Sequence, residues 1–170
     1  MGQWTVRRAW KAARGLAGRV LFGLPVAFNY DKRALIDVAF RHHPGELRSF
    51  ADLGGVWGIH GAYTFYILRA YRPEAAVLVD TNVSDEVRRR SRSFPNLRTI
   101  EGNFGDPAMP EQVGRVDAVL LFDVLLHQVR PDWDEILERY SKTTDCFLVF
   151  NQQFVAGEKT LRLVDLPGPV

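Results

Sequence analysis

From Leu47 onward the chain repeats one kind of unit: a short apolar run, a break rich in glycine, proline or polar residues, then a stretch with helical spacing. Such alternation marks βαβ units on a mostly parallel sheet. The apolar runs predict strands over Ser49–Leu53, Ala75–Asp80, Leu97–Gly102, Val116–Phe122 and Cys146–Asn151. Between them the spacing predicts helices over Ile59–Tyr71, Asp85–Arg92 and Asp132–Lys142, a short one over Pro110–Val113, and one ahead of the first strand over Lys32–Arg41. Parallel strands need right-handed crossovers, so helices cover both faces and the fold class is an α/β three-layer sandwich. In such a sheet ligands bind beyond the carboxyl ends of the strands, where the strand order reverses.

Other features bound the function. At 170 residues with 46% apolar content, the chain has the length of one domain and enough apolar surface for one core. A net charge of +2 falls well short of the clustered excess that phosphate backbones demand, so there is no strong nucleic-acid signal. No run reaches the ~18 apolar residues of a membrane span. The single cysteine, Cys146, lies in an apolar run where a buried, inert thiol is expected. One cysteine cannot close an internal disulfide, which fits a reducing, cytoplasmic setting. His42, His43 and His60 are not spaced with carboxylates as metal ligands, and no metal is assigned.

Two basic stretches need a separate account. Val6, Trp10, Ala13, Ala17, Val20 and Leu24 recur at helical spacing with Arg7, Arg8, Lys11, Arg14 and Arg19 between them. This amphipathic helix is expected to pack its apolar stripe on the domain and to end at Pro25. Weak contact of its basic face with an anionic membrane surface is the alternative. In the second stretch, Ser84 is expected to cap a helix, with Asp85 and Glu86 at its positive end and Arg88, Arg89, Arg90 and Arg92 toward its negative end.

The segment Asp52-Leu-Gly-Gly-Val-Trp-Gly58 runs from strand into helix, and its glycines permit a tight turn and close approach of a ligand. An acid opens the turn, Asp52, and a second, Asp80, ends the next strand. An acid in that second place can accept from both ribose hydroxyls of an adenosine-type ligand. Here the chain resembles the class I S-adenosylmethionine-dependent methyltransferases, whose first motif is an acid followed by three alternate glycines. Asp52, Gly54 and Gly58 match it, and Val56 replaces the middle glycine. The Val56 side chain must then point away from the methionine portion, or the cofactor sits differently, or it does not bind. A dinucleotide fingerprint fits worse, since Val56 and Ile59 fall on its later glycines, which leaves an NAD-dependent oxidoreductase as a second alternative.

The resemblance implies a doubly wound sheet of order 3-2-1-4-5 and assigns cofactor contacts to Asp52, Gly54, Gly55, Gly58 and Asp80. In Ile100–Pro107 it places Asn103 at the adenine edge and Phe104 over the ring, with Asp106 the alternative in a shifted register. In Val116–Val129 it puts Phe122 and Asp123 beside the transferring methyl. His127 follows, with the family's histidine place falling either there or at Leu126. His127 is a structural histidine or an acceptor contact, and Asp123 a candidate catalytic group. Methyl transfer gains chiefly from alignment, and a base matters only when the acceptor must lose a proton. Trp133 is expected in the core, or else at the pocket border.

This reading divides the chain into an N-terminal helical extension, 1–45, packed on a methyltransferase-like Rossmann domain, 46–170. About seventeen residues remain after Gln153, where complete family members carry two more strands. One strand fits around Thr160–Asp165, and Asn151–Gln153 is expected on the acceptor rim. The expectation is therefore a C-terminally truncated enzyme, or alternatively a weak or inactive S-adenosylmethionine-binding module completed by a partner chain. An uncovered edge favours association between copies. The acceptor is not legible, with a small molecule favoured over lipid, sugar, protein or RNA.

Overall fold

The computed structural model describes residues 28–150. The basic helix over Val6–Leu24, the polar cluster Asn151–Gln153 and the strand around Thr160–Asp165 lie outside the described residues. Five strands form one sheet: β1 (Ser49–Leu53), β2 (Ala75–Asp80), β3 (Leu97–Glu101), β4 (Val116–Phe122) and β5 (Thr144–Phe150). Their order is β3-β2-β1-β4-β5 and every pairing is parallel. The helices are α1 (Tyr30–His42), α2 (Ala62–Ala70), α3 (Asp85–Ser91), α4 (Met109–Val113) and α5 (Trp133–Ser141).

The period of two along each strand sorts the core into halves. Phe50, Ala118, Leu120 and Phe122 point to one face, where α1, α2 and α3 supply Ile36, Tyr63, Ile67 and Val87. Ala51, Leu53, Val119 and Leu121 point to the other, against Met109 and Val113 of α4 and Ile136 and Tyr140 of α5. Central strands buried on both faces explain the near-continuous apolar runs. Among the described residues no helix is long and apolar enough to cross a membrane.

Local chemistry sets the element ends. The helix expected from Ile59 starts instead at Ala62, because His60 (φ 49°) and Gly61 (φ 71°) take left-handed backbone that no helix continues. Ser84 caps α3 by accepting from the Val87 N–H, as its sequence signature implied. Two of that helix's three arginines are engaged locally: Arg88 pairs with Glu101, and Arg90 pairs with Glu86 and lies 3.9 Å over the Phe65 ring. Asn29 caps α1 by accepting from the Asp31 and Lys32 N–H groups.

Two expectations are corrected. Trp133 is half exposed and not in the core: as the first residue of α5 it stands at the end of the face that Ile136 and Tyr140 bury. Cys146 is half-buried, not buried, because its strand β5 is an edge among the described residues; burial pushes its thiol up and keeps it protonated.

Candidate functional site

Strand order reverses between β1 and β4, and a cavity of about 640 Å³ opens beyond their carboxyl ends. That volume lies within the range of small-molecule sites. Asp52, Gly54, Gly55, Gly58, Asp80, Asn103, Phe104, Phe122, Asp123 and His127 all line it. The residues singled out from four separate stretches of sequence therefore meet in one place.

The turn after β1 excludes side chains for two different reasons. Gly54 has φ +75°, and a Cβ there would sit 2.6 Å from Cγ1 of Val124. Gly55 is held by space alone, since its Cβ would fall 2.4 Å from the Asp52 carboxylate. That carboxylate is 1% exposed and accepts from the Thr64 hydroxyl at 2.5 Å. Burial pushes the Asp52 carboxyl up to about 6, and nearby Asp80 adds to the effect, while the Thr64 hydroxyl and the Lys32 ammonium oppose it. A cation brought to Asp52 would favour its ionised form.

At the tip of β2, Oδ2 of Asp80 accepts from the Val56 N–H at 2.8 Å and the Trp57 N–H at 3.3 Å, while Oδ1 accepts from the Asn82 N–H at 3.2 Å. The second acid thus braces the glycine turn as well as lining the cavity. The Thr81 hydroxyl also donates to Oδ1, at 3.5 Å, the longest of the four contacts on this carboxylate and so the one a ligand hydroxyl would replace. At Val56, the place of the motif's middle glycine, the side chain turns away from the cavity. Its side chain is buried in the core under α1, α2 and α3 and does not line the cavity.

Beyond β3, Oδ1 of Asn103 accepts from the Gly105 N–H at 2.9 Å, and the Tyr140 hydroxyl donates to the Phe104 carbonyl at 3.0 Å. These bonds hold the loop so that both side chains reach the cavity wall. Asp106 instead accepts from the Ala108 N–H and does not line the cavity. Of the two histidine places, Leu126 does not line the cavity and His127 does, exposed at the rim in the 3-10 turn Leu125–His127.

Past Phe122 the chain turns at Asp123, whose φ is +58° and whose N–H donates to the Phe150 carbonyl at 2.8 Å. Its Oδ2 meets Nζ of Lys32 at 2.5 Å, and Lys32 is 6% exposed. Nζ also lies 5.4, 5.8 and 5.5 Å from the ring centroids of Tyr63, Phe122 and Phe150. Sequence reasoning missed Lys32, Tyr63, Trp57, Asn29 and Gln128 as cavity residues. Lys32 carried a signal, since a cation in the first turn of a helix opposes the macrodipole and needs a partner elsewhere.

No sequence-family description and no curated protein matches this chain. Solved structures do match its fold. An O-methyltransferase family protein from Burkholderia thailandensis is 19% identical, with a TM-score of 0.57 over 76% of this chain and 41% of that one. The bifunctional kinase-methyltransferase WbdD is 19% identical, with a TM-score of 0.52 over 72% of this chain and 29% of that one. A coclaurine N-methyltransferase bound to N-methylheliamine and S-adenosylhomocysteine is 19% identical, with a TM-score of 0.51 over 71% and 36%. This chain thus spans less than half the length of each. With its strand order, its crossovers and these likenesses together, the chain has the class I methyltransferase fold.

Proposed function

We propose that the cavity binds S-adenosylmethionine and that the chain serves methyl transfer to a small-molecule acceptor. The observation that carries this reading is the placement of two carboxylates, Asp52 and Asp80, on either side of a turn whose glycines keep side chains out of the space between. The donor set suits the cofactor: Asp52 for a cationic amino group, Asp80 for ribose hydroxyls, and Asn103 and Phe104 for the edge and face of adenine. Gly54, Gly55 and Gly58 would pass beneath it. When bound, the cofactor would supply an electrophilic methyl carried on a sulfonium.

Phe122 would border the cofactor at the transferring methyl, with Asp123 and His127 on the acceptor side, and α1, inside the 1–45 segment, joins this wall through Lys32. The coclaurine enzyme's bound S-adenosylhomocysteine supports the cofactor assignment by analogy of fold.

Calorimetric titration with S-adenosylmethionine, S-adenosylhomocysteine and NADH tests the reading. Saturable binding of the two adenosyl ligands, absent in Asp80→Ala, is the expected result. Binding of NADH alone, or of none of the three, overturns it. Binding without methyl transfer to any acceptor would identify a cofactor-binding module.

A further inference from the structure

Among the described residues the exposed large apolar side chains are Val38, Trp57, Val129, Trp133 and Val149, and of these Trp57 alone lines the cavity. Scattered singly, such residues are an ordinary part of a protein surface. Trp57 differs in place: it is 84% exposed on the wall of a concave site, where a bound molecule can cover it. Its indole has no hydrogen bond, ring contact or cation partner among the described residues.

The backbone beneath the indole is fixed. The Trp57 N–H donates to Oδ2 of Asp80 at 3.3 Å, beside the Val56 N–H at 2.8 Å. The far end of the turn is tied back by the His60 N–H to the Val56 carbonyl at 2.7 Å and by the Gly61 N–H to the Gly55 carbonyl at 2.9 Å. Next to Trp57, Gly58 (φ +72°) has open space where a Cβ would stand, with no atom beyond its chain neighbours within 4 Å. A side chain on a held backbone beside open space can change rotamer without moving the turn. The indole is thus rooted at the carboxylate to which the ribose is assigned, and it is free to settle over what that carboxylate holds.

Resting on the cofactor reading above, we propose that Trp57 covers the ribose of the adenosyl ligand, its ring laid on the sugar's carbon–hydrogen face while Asp80 accepts from the hydroxyls. The sugar is then held from two sides, by polar bonds at the strand tip and by apolar contact from the turn. The cover keeps water from the Asp80 hydrogen bonds and so strengthens them. Exposure of the indole is the state that ligand binding ends, and the contact contributes to binding without contributing to the unliganded fold.

The test combines calorimetry with tryptophan emission on the full chain, with S-adenosylhomocysteine and adenosine as probes. Trp57→Ala is expected to bind both at least tenfold more weakly, about 1.4 kcal/mol, which covering roughly 60 Å² of apolar surface supplies. Trp57→Phe, which keeps a ring, should stay within about threefold of the wild type. Neither variant should move the thermal midpoint without ligand, because an exposed indole lends the fold little. S-adenosylhomocysteine should shift the wild-type emission to shorter wavelength as the indole leaves water, and Trp57→Phe should bind without that shift. Unchanged affinity in Trp57→Ala overturns the proposal, as does an emission shift that persists in Trp57→Phe. A lower ligand-free midpoint in both variants makes Trp57 a structural residue and overturns it as well. Weaker S-adenosylhomocysteine binding with adenosine unaffected, or with no adenosine bound by the wild type, places the indole on the amino acid end and has the same result. A wild type that binds no S-adenosylhomocysteine is a different outcome, which sinks the cofactor reading itself.

Discussion

The N–H of Val56 donates to the carboxylate of Asp80 at 2.8 Å, so the substituted place in the glycine motif and the acid at the tip of β2 are one mechanical unit. The backbone of the turn serves the cavity, while the Val56 side chain serves the core.

Restoring the motif glycine should therefore harm the protein. Val56→Gly removes a buried side chain and is expected to cost about 2–3 kcal/mol, from lost burial and added chain entropy. Chemical denaturation should show the lower midpoint. Calorimetry should show no gain in S-adenosylhomocysteine affinity.

Gly55→Ala is expected to act on the site through space. Its methyl would meet a carboxylate that is buried and pinned by Thr64. Moving either group costs about 1–3 kcal/mol, as overpacking does. Thermal unfolding should record that loss, with adenosyl ligand binding reduced at least tenfold in the same preparation.

Binding of a cationic ligand at Asp52 is expected to depend on pH. Its folded carboxyl titrates near 6, above the ordinary value of 3.8. Between those values the folded state holds a proton the unfolded state has lost, so stability conferred at low pH fades as pH rises through about 6. A cationic ligand reverses the preference, so its affinity should climb from pH 5 to about 7 and then level. Calorimetry in buffers of differing ionisation enthalpy should show proton release at pH 5.5 and none at pH 8. Asp52→Asn should flatten both profiles; a pH slope unchanged in that variant would rule Asp52 out as the cause.

Tyr140 links α5 to the cavity wall by donating to the Phe104 carbonyl. Tyr140→Phe leaves that buried carbonyl without its donor and should cost about 1–2 kcal/mol. Because Phe104 shapes the cavity, a several-fold weaker affinity for S-adenosylhomocysteine is expected beside the stability loss. Denaturant titration and calorimetry on one preparation separate the two effects.

Strand placement was legible because β1, β2 and β4 are buried on both faces and so read as unbroken apolar runs. The first acid, the glycine turn and the second acid were legible for a related reason, since strand ends in parallel sheets feed a common crevice. Val56 could not be resolved from sequence: a residue's spacing in a motif does not tell which way its side chain leaves a tight turn. Trp133 misled because aromatic size predicts burial only where a helix face meets the core, and one turn of α5 sits at the margin. Lys32 stayed hidden because its partner is Asp123, far along the chain. Pattern reading within a window sees helical spacing there and nothing of the contact.

That distance along the chain carries a practical consequence. A fragment begun at β1 would keep Asp52, the glycine turn, Asp80 and Asn103 intact, yet it would lose Lys32, the side chain that meets Asp123 at the cavity wall. The cavity wall is thus assembled from stretches far apart in the polypeptide, and α1 can be altered without touching a residue at the strand tips.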